Sequence, residues 1–575
     1  MIIYRHYITT GSTETEVFPL NFLETQIVDE KQDTPRRFYR RPFSGTLTFV
    51  NNNGGNDFDL LYAIELIAPC DTILFRITRM GDAYWNGQFS TTDGDFDLDN
   101  CTFTVTPKLI DDYIDMLDLA DIRYNILEVP TIVTTKAFKA GIYDIDYTNN
   151  RWLARLADNN VLEYLANYIK PGVTVSSEFF TAADNPATLY TNKLLYLTIA
   201  QKSDIKNPDA SDPATTAMLS WNELMDILWG IFQVCWDYDS GTDTINVEHI
   251  SWFAGGVGID LRTQELCVAT NKYNYLKDKM PKYEKWQFIE SDDLNFIGAP
   301  IWYDSKCVDP DPDSNVKKTT VNVTTDLEYI INYTDSISNE GFVILANYEN
   351  GGNYYVSLEV GAYDATVVKL NCHLSIANLH NYYFRHNRVL IEGYMNDDLI
   401  TFWTAQKMKH QKCYAVICPD TGYDPTDEIT TELGETYFGG EKATVQRAAL
   451  KPSGEMDFDL LYGPEDNENT GVETVKAIFV KQEDTCDSLS ATLTEAADGA
   501  LVVQYRENIY DSLDVWQCTG DWETWTIPLG SYDDTFTFAT WCQAIPPGGY
   551  CVIEIDATAL VGWEIYFSYN DNCTL

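Results

Sequence analysis

Ser220-Trp221-Asn222-Glu223-Leu224-Met225-Asp226-Ile227-Leu228-Trp229-Gly230-Ile231-Phe232-Gln233-Val234-Cys235, followed directly by Trp236-Asp237-Tyr238-Asp239-Ser240-Gly241-Thr242-Asp243-Thr244-Ile245-Asn246-Val247-Glu248-His249-Ile250, is the stretch that decides how this chain folds. Ser220 and Glu223 have the spacing of a capping box, in which each side chain satisfies a free N–H at a helix start. Leu224, Ile227, Leu228, Ile231 and Cys235 then recur at three- and four-residue intervals, which predicts an amphipathic helix over 221–235. From Trp236 to Ile250 the pattern changes to two short strands about a Gly-containing turn. Helix and hairpin so close in sequence form one packed module.

Upstream, residues 36–106 alternate with period two, as in Thr46-Leu47-Thr48-Phe49-Val50 and Thr102-Phe103-Thr104-Val105-Thr106, with turn residues at Asn51-Asn52-Asn53-Gly54-Gly55. This predicts a β-rich opening. Leu109, Ile110, Tyr113, Ile114 and Leu117 have helical spacing between Pro107 and Asp121. Val161, Leu162, Leu165, Tyr168 and Ile169 predict a second helix over 159–169, capped by Asp158 and stopped by Lys170-Pro171-Gly172. Downstream, Pro310 and Pro312 make 303–318 a linker. A hairpin is expected from Gly341–Ala346 and Tyr354–Val360 around Asn350-Gly351-Gly352-Asn353. From about 450 the chain is again β-rich, through Ala477–Val480, Leu501–Tyr505, Phe536–Phe538, Tyr550–Ile555 after the Pro546-Pro547-Gly548-Gly549 turn, and Trp563–Phe567. The expected fold class is therefore β-rich α+β and multidomain: β-barrel or sandwich modules, a small helix–hairpin module and a C-terminal β-sandwich. The expected domains are 1–125, 126–302, 319–445 and 446–575. Asp57-Phe58-Asp59-Leu60-Leu61-Tyr62 recurs as Asp457-Phe458-Asp459-Leu460-Leu461-Tyr462, but with dissimilar flanks, so a repeat is not established.

The chain has 575 residues and a net charge of −48, from 87 acidic and 39 basic residues. Such a surface repels a polyanion, which excludes a nucleic-acid coat. With 45% hydrophobic and 13% aromatic residues it is not a disordered acidic tail either. Met-Ile-Ile-Tyr-Arg-His-Tyr turns polar at once, and no apolar run approaches the ~18 residues of a membrane span, so a soluble chain that is not exported by the secretory route is expected. Thirteen scattered Cys, an odd number, fit free thiols in a reducing cytoplasm.

Motifs that carry chemistry are few. The six His form no HExxH, and there is no GxSxG, phosphate-binding loop or GxGxxG. Cys413 and Cys418 are the one close Cys pair; His410 is near, but zinc needs a fourth group. Asp93-Gly94-Asp95-Phe96-Asp97-Leu98-Asp99 has the acidic spacing of a calcium loop, yet Leu98 stands where the turn Gly belongs and Thr104 where the bidentate Glu belongs. A turn or strand with alternate Asp on a solvated face is the expected reading there, and also for Asp309, Asp311 and Asp313. Paired carboxylates for glycoside hydrolysis occur by accident among 87 acids and carry no weight. The expectation is a non-enzyme without metal or cofactor.

Arg36-Arg37-Phe38-Tyr39-Arg40-Arg41 is a dense basic patch in an acidic chain. Arg36, Arg37, Arg40 and Arg41 are expected to pair with carboxylates of the same chain or a neighbouring subunit. Trp516, Trp522, Trp525, Trp541 and Trp563 either stack on sugars or, more commonly, fill sandwich cores and oligomer contacts.

At the helix–hairpin junction the sequence resembles the hub proteins at the tip of bacteriophage tails. In that family a capped amphipathic helix leads into a hairpin of the form aromatic-x-aromatic-Asp-x-Gly and then an apolar strand, here Trp236-Asp237-Tyr238-Asp239-Ser240-Gly241 and Ile245-Asn246-Val247. Trp85-Asn86-Gly87-Gln88-Phe89 and the strand from Cys101 to Pro107 also look similar to tail-tip and baseplate modules. The resemblance implies a virion structural protein in the tail, assembled in the host cytoplasm. It implies a homo-oligomer, a trimer or ring, with Trp236 and Tyr238 as interface candidates beside the arginines. Other tail proteins would dock on it, and genomic DNA would pass an acidic wall without specific binding. The alternative is an adhesin reading host surface glycans through the aromatic C-terminal region.

Overall fold

The computed structural model describes residues 3–52, 55–128, 133–135, 138–140, 145–147, 151–156, 161–181, 197–203, 216–253, 256–268, 271–276, 283–287, 298–303, 316–318, 322–325, 340–346, 348–350, 353–356, 389–392, 399–403, 408–417, 423–463, 474–479, 489–495, 501–510, 516–519, 523–527, 535–538, 550–556 and 564–569. The Ser220 hydroxyl accepts the Glu223 N–H at 3.2 Å, and the Glu223 carboxylate accepts the Ser220 N–H at 3.0 Å, closing the capping box. The helix spans Trp221–Phe232 and is shorter than the expected 221–235. Gln233 turns left-handed (φ 52°, ψ 37°), its N–H still bonded to the Trp229 carbonyl, and Val234 and Trp236 continue as strand. Leu224, Ile227, Leu228 and Ile231 are buried from the helix, whereas Cys235 is buried from the strand. Val234–Asp239 pairs antiparallel with Thr244–His249, and Thr174–Ser176 adds a parallel third strand. Helix Val161–Ile169 precedes that strand; four of its five expected apolar positions are buried, while Tyr168 lies outside and stacks on Tyr124 at 3.7 Å.

The opening is β-rich, with a five-stranded sheet ordered Lys108–Leu109, Asp82–Phe89, Ile73–Arg79, Tyr4–Thr10, Thr13–Val17. A four-stranded sheet, Asp95–Asp97, Thr102–Val105, Leu47–Asn52 and Gly55–Asn56, lies beside the same core of Phe49, Phe75, Phe89 and Phe103. Two expectations fail here. Leu109 joins Gly87 in a strand pair, so only Ile114–Leu119 of the 107–121 stretch is helical. Asp57–Ile67, placed within the alternating region, is a helix.

That helix contains the first copy of Asp-Phe-Asp-Leu-Leu-Tyr; the second copy lies in strand Glu455–Tyr462. The hexapeptide satisfies both periods. In the helix Phe58 and Leu61, three apart, face the core, while Asp57 and Asp59 sit in the first turn where the helix dipole favours acid. In the strand Met456, Phe458 and Leu460 alternate inward between Lys409–Val416 and Thr444–Leu450. The echo is therefore no repeat of one β-unit.

The chain divides into two compact units that are discontinuous in sequence, rather than into four consecutive segments. One contains Met1–Asp118, Ala254–Leu276 and Lys407–Glu465; the other contains Leu119–Phe253, Lys277–Gln406 and Asp466–Leu575. In the first, an eight-stranded sheet sets Thr444–Leu450 between Glu455–Tyr462 and Gln26–Lys31, across the drawn boundary at 445. In the second, the C-terminal strands build two sheets. Thr474–Phe479, Tyr550–Asp556 and Leu501–Tyr510 extend a nine-stranded sheet that also takes Tyr283–Gln287, Gly298–Tyr303 and Leu399–Trp403. Leu489–Glu495, Thr535–Phe538 and Glu564–Tyr569 join Val389–Glu392. The expected 341–360 hairpin is Tyr348–Asn350 with Asn353–Val356, while Phe342–Ala346 pairs with Leu197–Gln201 and Val323–Thr324. Every sheet is open among the described strands, and the fold is a β-rich α+β multidomain one. Asp158, Asp309, Asp311, Asp313, Cys418, Trp522, Trp541, Trp563 and the Pro546–Gly549 turn lie outside the described residues.

Gly87 lies where the five-stranded sheet leaves no room for a side chain. A Cβ there would overlap the Trp85 ring and come within 2.5 Å of the Lys108 carbonyl oxygen. Gly87→Ala is expected to cost about 1–3 kcal/mol, read as a lower urea midpoint of the first unit; an unchanged midpoint would contradict this packing.

Candidate functional site

The arginine cluster turns inward to carboxylates of its own unit. Arg40 forks onto Asp111, with Nε at 2.7 Å from Oδ2 and Nη2 at 3.2 Å from Oδ1. Arg41 forks onto Asp29, with Nε at 2.5 Å and Nη2 at 3.3 Å. Asp29 is fully buried on strand Gln26–Lys31, so Arg41 supplies the counter-charge that permits a carboxylate there. Phe38, between the arginine pairs, is buried and stacks on Tyr113 at 3.7 Å; the Tyr39 hydroxyl donates to the Val445 carbonyl at 2.6 Å. Arg36 and Arg37 are half-buried beside them. Intramolecular pairing thus occupies Arg40 and Arg41.

Trp236 and Tyr238 serve the module rather than an open surface. Trp236 is completely buried and meets Trp221 edge-on at 5.6 Å. Tyr238 is buried as well, donating to Asp243 at 2.7 Å with the Lys170 ammonium 4.8 Å from its ring centre. The turn explains its own residues: the Asp239 carboxylate accepts the Gly241 N–H at 2.8 Å and the Thr242 hydroxyl at 2.7 Å.

Among the buried ionisable groups that local sequence does not announce, Glu248 and His6 have the clearest surroundings. Glu248, 1% exposed, accepts the N–H groups of Glu178 and Phe179 at 2.5 and 2.9 Å, one on each oxygen. Burial outweighs those two donors and pushes its carboxyl up to about 7, with Glu178 and Asp237 adding to the rise. The element that covers it begins seventy residues earlier, so no local spacing announces it. His6 lies in the other unit, its ring 4.3 Å from Phe22 and 6.2 Å from Phe75, with Nε2 buried and unpaired. Burial lowers its pKa to about 4.

The acidic run from Asp93 passes through strand Asp95–Asp97 into a turn and is not a converging cluster. Asp93 takes the Lys108 ammonium at 2.6 Å and the Ser90 N–H at 2.8 Å, and Asp97 takes the Asp99 and Asn100 N–H groups at 3.0 and 3.1 Å. His410 Nε2 lies 3.7 Å from Asp459. Burial pushes the Cys413 thiol up to about 12. Among the described residues no three His, Cys, Asp or Glu side chains form a metal-binding group. Trp516 and Trp525 lie on strands Trp516–Thr519 and Glu523–Ile527, which both pair with Leu501–Tyr510.

No family model matches the chain, and no curated protein matches it. Among solved structures it is loosely similar to the 43 kDa tail protein of prophage MuSo2 from Shewanella oneidensis, at 10% identity and a TM-score of 0.33, covering 80% of this chain and 96% of that one. A tail protein from Neisseria meningitidis MC58 superposes at 9% identity and a TM-score of 0.32, with the same coverage of 80% and 96%. Superpositions this loose assign neither a fold nor a role.

Arg41→Ala strands the buried Asp29 charge and is expected to cost about 3 kcal/mol in urea unfolding; a loss no larger than that of an ordinary surface arginine would contradict the pairing. The two buried titrations run in opposite directions. Glu248 binds its proton more readily folded than unfolded, so its contribution is fully present below about 4.5 and falls as pH rises to about 7. His6 binds its proton less readily folded, so its contribution is lost as pH falls from about 6.5 to about 4. Hydrogen exchange, corrected for intrinsic rates, should show Tyr4–Thr10 losing protection on acidification while Thr244–His249 gains it. Glu248→Gln should abolish the second trend, and parallel trends in both strands would contradict the assignment.

Proposed function

We propose that this chain is a structural, non-catalytic component of a bacteriophage tail, a hub or tail-tip protein. It assembles in the host cytoplasm as a homo-oligomer, a trimer or ring, around or at the end of the channel through which the genome leaves, and it docks neighbouring tail proteins. The helix–hairpin module carries this reading. Its capping box, left-handed exit at Gln233, Trp221–Trp236 contact and Asp239–Gly241 turn build the element on which the resemblance to tail hubs rests, with the hairpin in register from Val234–His249 to Asp239–Thr244.

The charge supplies the second support. A net charge of −48 lets a lumen lined by carboxylates repel the phosphate backbone, so that DNA slides without being held. Because Arg40 and Arg41 are committed to Asp111 and Asp29, they do not offset the acid that faces outward.

Electron microscopy of particles carrying a label on this protein should place it at the tail tip, and the isolated chain should sediment as a multimer whose carboxylates crowd the inner wall. Duplex DNA should show no retardation by it, even at low salt. A monomer with evenly spread charge, or a label elsewhere on the particle, would overturn this function.

A further inference from the structure

Among the described strands, two of the unit made by Met1–Asp118, Ala254–Leu276 and Lys407–Glu465 end their sheets with an outer backbone edge; one carries two glutamates and the other is uncharged and flanked in sequence by lysines. Thr13–Val17 is the outermost strand of the five-stranded sheet. The two-residue turn Gly11-Ser12, with Gly11 at φ 58°, joins it to Tyr4–Thr10, and Thr10 faces Thr13. The closing pair of such a turn is hydrogen-bonded, so Thr13, Thr15 and Val17 bond inward and the N–H and C=O groups of Glu14 and Glu16 point out of the sheet. Arg76 holds the Glu14 side chain at 2.7 Å, which leaves that backbone edge untouched.

Tyr273–Tyr275 pairs only with Lys409–Val416 among the described strands. The Leu276 N–H bonds to the Met408 carbonyl at 3.0 Å, which fixes the alternation: Asn274 and Leu276 bond inward, and the backbone groups of Tyr273 and Tyr275 point outward. Tyr273 and Tyr275 are 43% and 44% exposed, and Lys272 and Asn274 are exposed as well. Phe438 holds the Tyr273 ring edge-on at 5.0 Å. In sequence, Lys272, Lys277, Lys279 and Lys282 stand against the single acid Asp278, a basic stretch in a strongly acidic chain.

Open edges are normally blunted by charge, proline or a cover. Glu14 and Glu16 do this for Thr13–Val17, because two copies of that strand would set like charges across a new ladder. Tyr273–Tyr275 has neither charge nor proline. We propose that Tyr273–Tyr275 of one copy accepts Thr13–Val17 of the next copy as an added antiparallel strand, joining their two sheets across the subunit contact. With both edges satisfied, Tyr273 faces Glu16, Asn274 faces Thr15 and Tyr275 faces Glu14. The outward amides and carbonyls then exchange bonds, and the two glutamates meet the strand that borders the lysines. The two edges differ, so the contact is head-to-tail and closes a ring or continues as a filament. This contact rests on the homo-oligomeric reading above and names the surfaces that would make it.

The test uses the full chain with exposed Cys70 and Cys101 replaced by Ser. Asn274 and Thr15 would form a non-hydrogen-bonded pair, whose Cα atoms come within disulfide reach. Mixing Asn274→Cys chains with Thr15→Cys chains under mild oxidation should give a cross-linked pair, and neither variant alone should. Tyr275→Pro, which removes an outward N–H and leaves the inner ladder intact, should weaken self-association about tenfold. Coupling of either single variant with itself would overturn the head-to-tail contact. No cross-link from chains that still sediment as an oligomer would overturn this contact and leave the oligomer standing, whereas a monomer at every concentration would remove both. Retardation of DNA that is lost in Tyr273→Ala/Tyr275→Ala, without any cross-link, would make nucleic acid the occupant and likewise overturn it.

Discussion

Strand Gln26–Lys31 pairs with Thr444–Leu450, and this ladder makes the first unit one body. A strand buried on both faces has to place its N–H and C=O groups in a ladder, because each one left unbonded away from water costs on the order of 1–3 kcal/mol. Ile27 and Val28 are buried, so the strand needs a partner on each edge. Tyr39–Arg40 and Phe43–Ser44 supply one edge from nearby in sequence, and Thr444–Leu450 supplies the other from far away. Asp29, in the middle of this strand, is tolerable only because Arg41 leaves the same local loop and forks onto it. Tyr39 then ties that loop to the Val445 carbonyl. Tyr84 packs against both hydrophobic cores of the unit, so burial of the two cores is linked through one ring.

What the sequence makes legible follows from the range of the forces involved. The capping box at Ser220 and Glu223, the turn at Asp239–Gly241 and the stop after Ile169 are settled by bonds between residues a few positions apart, and they stand as the spacing predicts. The end of the helix shifts by three residues because Gln233 adopts a left-handed conformation that no periodicity encodes. Sheet membership is a different kind of fact. Phe342–Ala346 has the composition of a hairpin strand, yet it serves Leu197–Gln201, since any apolar strand fills a slot of the right length and register.

Asp-Phe-Asp-Leu-Leu-Tyr shows the same limit inside six residues. Its apolar positions satisfy the three-residue spacing of a helix and the two-residue spacing of a strand, so local preference is nearly balanced and surroundings decide. At 57–62 the Asp57 carboxylate accepts the Phe18 N–H at 2.5 Å and Asn51 accepts the Asp59 N–H at 3.1 Å, fixing a helix start. At 457–462 two long strands already flank the segment and offer ladders on both sides. The candidate site divides along similar lines. The arginine cluster is visible as composition, and its carboxylate partners Asp29 and Asp111 are visible only once the strands are in place.

The placement of the few basic residues also bears on where two copies of this chain would attract each other. With 87 acidic side chains and 39 basic ones, most carboxylates have no cation to pair with, and two approaching copies repel over most of their surfaces. Screening shortens the range of that repulsion to about 8–10 Å at physiological salt but does not remove it at contact. Attraction must therefore come from places where charge is absent or reversed. Burial of Trp236 and Tyr238 within the module withdraws two aromatic candidates from that role, and internal pairing of Arg40 and Arg41 withdraws two cationic ones. Among the described residues of the first unit, the tyrosine edge at 273–275 keeps both uncharged aromatic surface and unsatisfied backbone groups, bordered by lysine. In a chain this acidic, a short edge of that kind concentrates whatever attraction between copies the rest of the surface withholds.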